Sequence, residues 1–336
     1  VTATTATTLV PRPAEAALEA GGTPADAPVL AVDIGGTKLA AAVVEPGGRI
    51  AVSDRIPTPN NPGTDAEGLW RTLAAMLDKL VAEAGGPALA GVGVGCGGPM
   101  TWPDAHVSPL NIPAWRDFPL RDRLRETYPG LPVRVHNDAI CLAIGEHWRG
   151  AGRGRDNMLG MVVSTGVGGG LILNGRLIDG ASGNAGHIGH IVVDPTGPTC
   201  ECGGRGCLEA IARGPGLVAW AREEGWHGTT GVALAADARR GHPVAQSAMR
   251  RAGHALGLAI ASATHLCDLE VVSIGGGISQ AGALLFDPLE ETLRTYARME
   301  FARRVSVVPA ALGQTSGLVG AAALIFEPDK YWTGAD

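Results

Sequence analysis

Excess positive charge is missing from this sequence: 27 Lys and Arg stand against 33 Asp and Glu, a net charge of −6. Nucleic-acid proteins usually show a basic surplus or stripe, so no nucleic-acid partner is expected. No extended basic track for a polyphosphate chain is present either. A membrane span is also missing. The longest uncharged, largely apolar run, 252–267, falls short of the ~20 residues a spanning helix needs and contains two histidines, so no membrane partner is expected. The start lacks a basic stretch followed by a clean apolar run, which argues against a signal peptide. Residues 1–28, rich in Ala, Thr and Pro, are expected to form a disordered tail. No G-K-[ST] opens a helix after a glycine loop, which excludes a P-loop nucleotidase. No internal repeat at a solenoid period stands out.

Cysteine is sparse and unevenly spread. Three of the six sit within eight residues, a usage that fits a reduced, cytoplasmic setting. Cys96, Cys141 and Cys267 lie in apolar surroundings and read as buried thiols. The other three belong to the stretch around which the chain is organised, 182–209: SGNAGHIGHIVVDPTGPTCECGGRGCLE. His190, Cys200, Cys202 and Cys207 have the types and spacing of a structural zinc site, since one metal can satisfy three closely spaced sulfurs at once. The competing reading is a loop with incidental cysteines. Gly203, Gly204 and Gly206 supply the conformational freedom a chelate loop needs. A metal here would hold His187 and Glu209 in fixed positions beside it.

Length and a 45% hydrophobic content allow one large or two medium domains with a substantial core. Strands are expected at 29–33, 39–44 and 49–56, the first two joined through Asp33-Ile34-Gly35-Gly36-Thr37-Lys38. That turn can present backbone N–H groups and the Thr37 hydroxyl to phosphate oxygens, with Asp33 available to Mg²⁺ through water; it can equally be a plain hairpin turn. An amphipathic helix is expected over 64–84, and a strand over 88–95 leads to Gly97 and Gly98. Asn111, before Pro113, is either a turn residue or a side chain offering a donor and an acceptor to a ligand. A helix is expected over 118–128. The strand 133–136 delivers Asn137-Asp138, with Asp138 as the N-cap of a helix over 139–148. A carboxylate there stays ionised beside the helix dipole and can also act as a base. The turn at 150–156 marks a lobe boundary, and a second glycine turn, Thr165-Gly166-Val167-Gly168-Gly169-Gly170, lies between strands. Helices are expected over 208–212, 215–224, 232–240, 243–266, from near 280, over 288–301 and over 317–326. Strand 270–274 ends at Gly275, Gly276 and Gly277, and a last strand covers 305–309.

These motifs resemble the ROK family of sugar kinases, repressors and related open reading frames. The carriers are D-I-G-G-T-K at 33–38, N-D at 137–138, G-H-I-G-H at 186–190 and C-E-C-G-G-R-G-C-L-E at 200–209, and the likeness spans about residues 29–326. It implies an α/β, two-lobed, actin-like (ribonuclease H-like) sugar kinase fold with an inserted zinc loop. One lobe would comprise 29–139 plus about 316–328, and the other 140–315, with the zinc loop at 187–209. It implies ATP, Mg²⁺ and structural Zn²⁺, and a homodimer or dimer of dimers. It implies Asp138 as catalytic base; Gly98, Asn111, Asn137, Asp138, His187, His190 and Glu209 at the sugar; and Asp33, Gly35, Gly36, Thr37, Lys38, Thr165, Gly166, Gly168, Gly275, Gly276 and Gly277 at the nucleotide. Two positions depart from the family pattern. Met100 replaces the last Gly of G-x-P-G, and His187 replaces the usual Glu. The second departure resembles the N-acetylmannosamine kinases of the family, so phosphorylation of that sugar at its C6 hydroxyl is the leading expectation. Glucose is the alternative, and a sugar-sensing regulator is the second alternative. A zinc-loop support role for His187 also stays open.

Overall fold

A computed structural model of the chain describes residues 26–61 and 63–334. The expected tail therefore falls outside the described residues as far as position 25. In the first lobe β1 (Val29–Ile34), β2 (Lys38–Val44) and β3 (Ile50–Pro57) form an antiparallel meander. Helix α1 (Ala66–Glu83) follows, opened by Asp65, whose carboxylate accepts from the Gly68 amide at 2.6 Å. It buries Leu69, Leu73, Met76, Leu77 and Leu80, the stripe its spacing dictates. Next come β4 (Gly91–Cys96), a short pair β5 (His106–Val107) and β6 (Phe118–Pro119), α2 (Leu120–Thr127), β7 (Val133–Asn137) and α3 (Asp138–Arg149). The sheet order is β3-β2-β1-β4-β7, with β1, β4 and β7 parallel.

The second lobe contains β8 (Met158–Val163), β9 (Val167–Leu173), β10 (Arg176–Leu177), α4 (Leu208–Ala212), α5 (Gly214–Glu223), α6 (Gly231–Arg239), α7 (Pro243–Cys267), β11 (Val271–Gly275), α8 (Ala283–Tyr296) and β12 (Ser306–Pro309). Its sheet runs β10-β9-β8-β11-β12. Helices α9 (Ser316–Phe326) and α10 (Pro328–Tyr331) close the chain. Among the described residues no helix is long and apolar enough to cross a membrane.

Each lobe has its own core, and a third cluster fills the space between the sheets. Val29, Ala31, Ala40 and Ala42 line it from the first sheet, and Met158, Ile172 and Val271 from the second. Ile140, Ile144, Leu318 and Leu324 of α3 and α9 pack in between. Small side chains dominate on the first sheet because helices approach it closely there. Two expectations shift. Phe118 and Pro119 pair with β5 rather than starting a helix, and Pro119 precedes the first helical residue. The two helices expected from near 280 and over 288–301 are one, Ala283–Tyr296, with Pro288 inside it. Leu285, Leu289 and Leu293 form its buried stripe, and the Pro288 ring lies against Gly253 of α7. Burial of that stripe outweighs the preference of proline for a first turn.

Candidate active site

Strand register brings the motifs together. In the first sheet Ile34, Cys96 and Asn137 stand in one row across β1, β4 and β7. Asp33 therefore lies just before that row and Asp138 just after it, at the carboxyl ends of parallel strands, where α/β folds bind ligands. Asn137, not Asp138, caps α3: its Oδ1 accepts from the Ala139 amide at 3.0 Å. The N-cap assignment of Asp138 is thus corrected by one residue, because Asn137 keeps extended backbone while Asp138 is already helical. Asp138 Oδ1 accepts from the same amide at 2.8 Å, and its Oδ2 faces the Gly97 backbone. Gly98 adjoins the Asn137 amide group. Burial pushes the Asp138 carboxyl above the usual carboxylate range, against the pull of the Ala139 N–H. Burial, and then the charge of Asp138, push Asp33 up to about 6. The Gly317 backbone, in the first turn of α9, packs on the Asp33 carboxyl.

The first glycine turn closes with Gly35 N–H on the Lys38 carbonyl at 3.0 Å. Thr58, which carries no sequence signal, braces it by donating its hydroxyl to the Gly35 carbonyl at 2.6 Å. Gly36 abuts Asn111 so closely that a Cβ would overlap the Asn111 side chain, so the first glycine turn and the loop bearing Asn111 meet. Asn60 donates to the Asn111 carbonyl at 2.8 Å, Thr37 is exposed, and Lys38 donates to Gln314 at 3.0 Å. Met100, at the departure from G-x-P-G, forms a β-bridge with Val107.

In the second lobe Thr165 is exposed, Gly166 lies in the β8–β9 turn, and Gly168 sits just inside β9 opposite Val162. Gly168 packs on the Ala139 methyl at the start of α3, so this turn reaches the first residues of the helix that carries Asp138. Gly275 ends β11, paired with Val162 of β8, and Gly276 and Gly277 follow it. Gly276 has φ 95° and lies against Val163, a conformation and approach open only to glycine.

His190, Cys200, Cys202 and Cys207 converge, with one ligand atom from each lying within 4.8 Å of the others. Cys202 and Cys207 Sγ are 3.7 Å apart, and Cys200 Sγ is 3.9 Å from His190 Nδ1. A tetrahedron with zinc–sulfur bonds of ~2.3 Å has sulfur–sulfur edges of about 3.8 Å. The donor set and spacing therefore fit zinc. The Glu209 carboxylate, two residues beyond Cys207, accepts from the Val167 amide at 2.8 Å. The glycine turn and the zinc loop are thereby tied together. His187 stands beside His190 with ring centroids 6.2 Å apart; its side chain reaches solvent, and partial desolvation of the ring by the surrounding protein chiefly holds its pKa below the usual imidazole value.

Sequence reasoning missed Glu146. It is fully buried on α3 and accepts from the amides of Ala151, Ala311 and Leu312, each at 2.9 Å, and from the Ser316 hydroxyl at 2.7 Å. It joins α3 to the loop that enters α9. Its only signal was a carboxylate directly after the uncharged run 139–145.

Burial of the Asp33 carboxylate, and then the like charge of Asp138, carry a stability cost. Asp33→Asn is expected to stabilise the ligand-free protein by roughly 3 kcal/mol at pH 7.5, from the elevation of its pKa to about 6. Ionised Asp33 is disfavoured in the folded state, so the gain is full above pH ~6 and fades toward pH ~4, where the carboxyl is protonated in both states. Melting temperatures at pH 7.5 and 4.5 check this; an equal difference at both pH values contradicts it.

A sequence model of the ROK family matches residues 29–327. A glucokinase of Thermotoga maritima is 35% identical over 315 residues, covering 89% of this chain and 97% of that protein. An N-acetylmannosamine kinase of Salmonella newport is 38% identical over 296 residues, covering 88% and 97%. The crystal structure of a ROK family glucokinase from Streptomyces griseus in complex with glucose and AMPPNP superposes with a TM-score of 0.76 at 35% identity, covering 88% of this chain and 98% of that one.

Proposed function

The chain belongs to the ROK family and is an ATP-dependent sugar kinase; on that premise we propose that it phosphorylates the C6 hydroxyl of an N-acylhexosamine, with N-acetylmannosamine the preferred acceptor. The observation that carries the acceptor choice is His187, exposed beside His190 where the family resemblance leads one to expect Glu. A neutral imidazole offers one donor and one acceptor, which suits an acetamido group better than a carboxylate that only accepts. The N-acetylmannosamine kinase of Salmonella newport supports this reading. Glucose is the second reading, favoured by the glucokinase of Thermotoga maritima.

In the proposed reaction Asn137, Asn111, Gly98, His187, His190 and Glu209 hold the sugar. Asp138 Oδ2 takes the proton of the C6 hydroxyl as its oxygen bonds to the γ-phosphorus. The bond from that phosphorus to the β–γ bridging oxygen breaks, and ADP leaves. Burial lifts the Asp138 pKa and so strengthens it as a base. The turns at 35–38 and 165–168 cradle the phosphates with backbone N–H groups, and the run 275–277 lets the nucleotide approach the backbone closely. Positioning and electrostatics carry most of the rate in such a transfer. Asp33 is the carboxylate to hold Mg²⁺, which supplies neutralisation of phosphate charge. Zinc, held by His190, Cys200, Cys202 and Cys207, supplies a cross-link that fixes the loop.

Two experiments test this reading. The phosphorus NMR signal of the product is expected as a triplet, split by the two protons of a CH₂–O–P group; a doublet would mean a secondary hydroxyl was phosphorylated. His187→Glu is expected to shift the kcat/KM ratio of N-acetylmannosamine over glucose toward glucose by about tenfold or more, the scale of one altered pocket contact. An unchanged ratio removes His187 from the specificity argument.

A further inference from the structure

His136 is the last residue before Asn137-Asp138, lies on an edge strand of the first sheet, and is 1% exposed. Both of its ring nitrogens are engaged. Nδ1 accepts from the Asn137 amide at 2.8 Å, so Nε2 carries the proton and donates it to Asp179 Oδ1 at 2.7 Å. Asp179 belongs to the other lobe. It follows β10, the edge strand of the second sheet, and begins the loop that leads to His187. It too is buried, 5% exposed. The Thr333 hydroxyl donates to its Oδ2. Neighbouring rings close the cluster: Trp102 lies 4.4 Å from His136 and 4.8 Å from Trp332, centroid to centroid. Tyr331, beside Trp332, pairs its hydroxyl with His147 of α3 at 2.7 Å.

We propose that Asp179 is a positioning residue for phosphoryl transfer. From the second lobe, through the His136 imidazole, it fixes the Asn137 backbone and thereby the aim of the Asp138 carboxylate. The Asn137 amide ends a strand and precedes a helix, at the one point where a small rotation would swing both sugar-facing side chains. A hydrogen-bonded imidazole restrains that rotation only while its own ring is held, and Asp179 holds it. Because Asp179 also opens the loop that ends at His187 and His190, the same bond sets the distance between the two walls of the sugar pocket. Thr333 in turn orients Asp179, which gives the C-terminal segment a part in the site. The inference rests on the reading of Asp138 as base.

The test compares purified, folded variants by kcat, the KM values for sugar and ATP, and melting temperature. Asp179→Ala and His136→Gln are expected to lower kcat by about 30- to 100-fold, the effect of a displacement near 1 Å at a reacting group, with the ATP KM within about twofold. The Gln side chain keeps a donor near the Nε2 position and loses the Nδ1 acceptor. Asp179→Asn keeps an acceptor for Nε2–H and is expected to recover kcat to within about threefold of the native enzyme. Native kcat in Asp179→Ala with only a lowered melting temperature overturns the proposal, and so does equal damage in Asp179→Asn and Asp179→Ala. If the alanine chain fails to fold, Thr333→Val reads the same link: a three- to tenfold loss in kcat at constant ATP KM supports it, and native kcat overturns it. Failure of the general-base reading is told apart by Asp138→Asn, which would then keep its turnover whatever the other variants do.

Discussion

Asp138→Asn lowers kcat by about a thousandfold or more, leaves the ATP KM within a few-fold, and raises the melting temperature of the ligand-free protein. The loss follows from proton balance. The C6 oxygen must shed a proton as it attacks, and an amide cannot accept it; general bases contribute about 10²–10⁴ in rate. Ground-state binding suffers less, because Asn retains an oxygen for the sugar hydroxyl and Asn137 stays in place as the helix cap. The gain in stability comes from the same carboxylate. Its ionised form is penalised by burial, and its charge raises the pKa of Asp33. Removing it relieves both. A chain that loses rate while gaining stability fits a base placed at a strained site; one that loses both has been damaged. Turnover within tenfold of native contradicts the assignment.

Removing zinc is the second large effect. The chain is expected to bind one zinc ion per molecule, and stripping it, or replacing Cys207 by Ala, is expected to cut kcat/KM for the sugar by at least about a hundredfold, beyond the usual effect of disturbing a residue that only supports a metal site. Apart from a metal the loop is held by the bridges Val192–Cys207 and Thr199–Arg205 and by the Glu201–Arg213 ion pair, none of which ties all four ligand side chains together. Cys202 is exposed, and the main connections of the stretch are turns such as Cys200 N–H to the Gly204 carbonyl and Gly206 N–H to the Pro198 carbonyl, each at 2.8 Å. Loss of the metal frees Cys207 and with it Glu209, whose carboxylate holds the Val167 amide. It also frees His190, which follows His187 by three residues. Both the sugar wall and the second glycine turn then loosen, so the ATP KM rises as well. The sheets and the core between them do not depend on the loop, and far-ultraviolet circular dichroism is expected to change little. Metal analysis, turnover after dialysis against a chelator, and recovery on adding zinc test this. Full activity in a metal-free chain contradicts it.

Much of this was legible in the sequence because its signals are local. The metal ligands lie within eighteen residues, and a spacing of cysteines and glycines carries its own chemistry. The β1–β2 turn, the N-D pair at a strand end and the stripe of α1 are equally local. What could not be read depended on residues far apart in the chain. Glu146 meets its partners at 311–316 only after both lobes have folded, and Asp179 meets His136 and Thr333 the same way. Single polar residues in apolar stretches gave no partner to expect. The helix around Pro288 was misread because proline suggests a start, whereas its ring fits a glycine face of α7 that no local rule reveals. The displaced cap at 137–138 is the same kind of error on a smaller scale, since Asn and Asp cap equally well and the backbone decides.

The most direct measurement is ADP release from MgATP with N-acetylmannosamine and with glucose, using Asp138→Asn as the blank. With the native chain and the acetamido sugar, turnover is expected at a kcat/KM at least tenfold above that for glucose, and no release above background is expected from the variant. Equal or better turnover with glucose would contradict the part assigned to His187, and ADP release by the variant at the native rate would contradict the site itself.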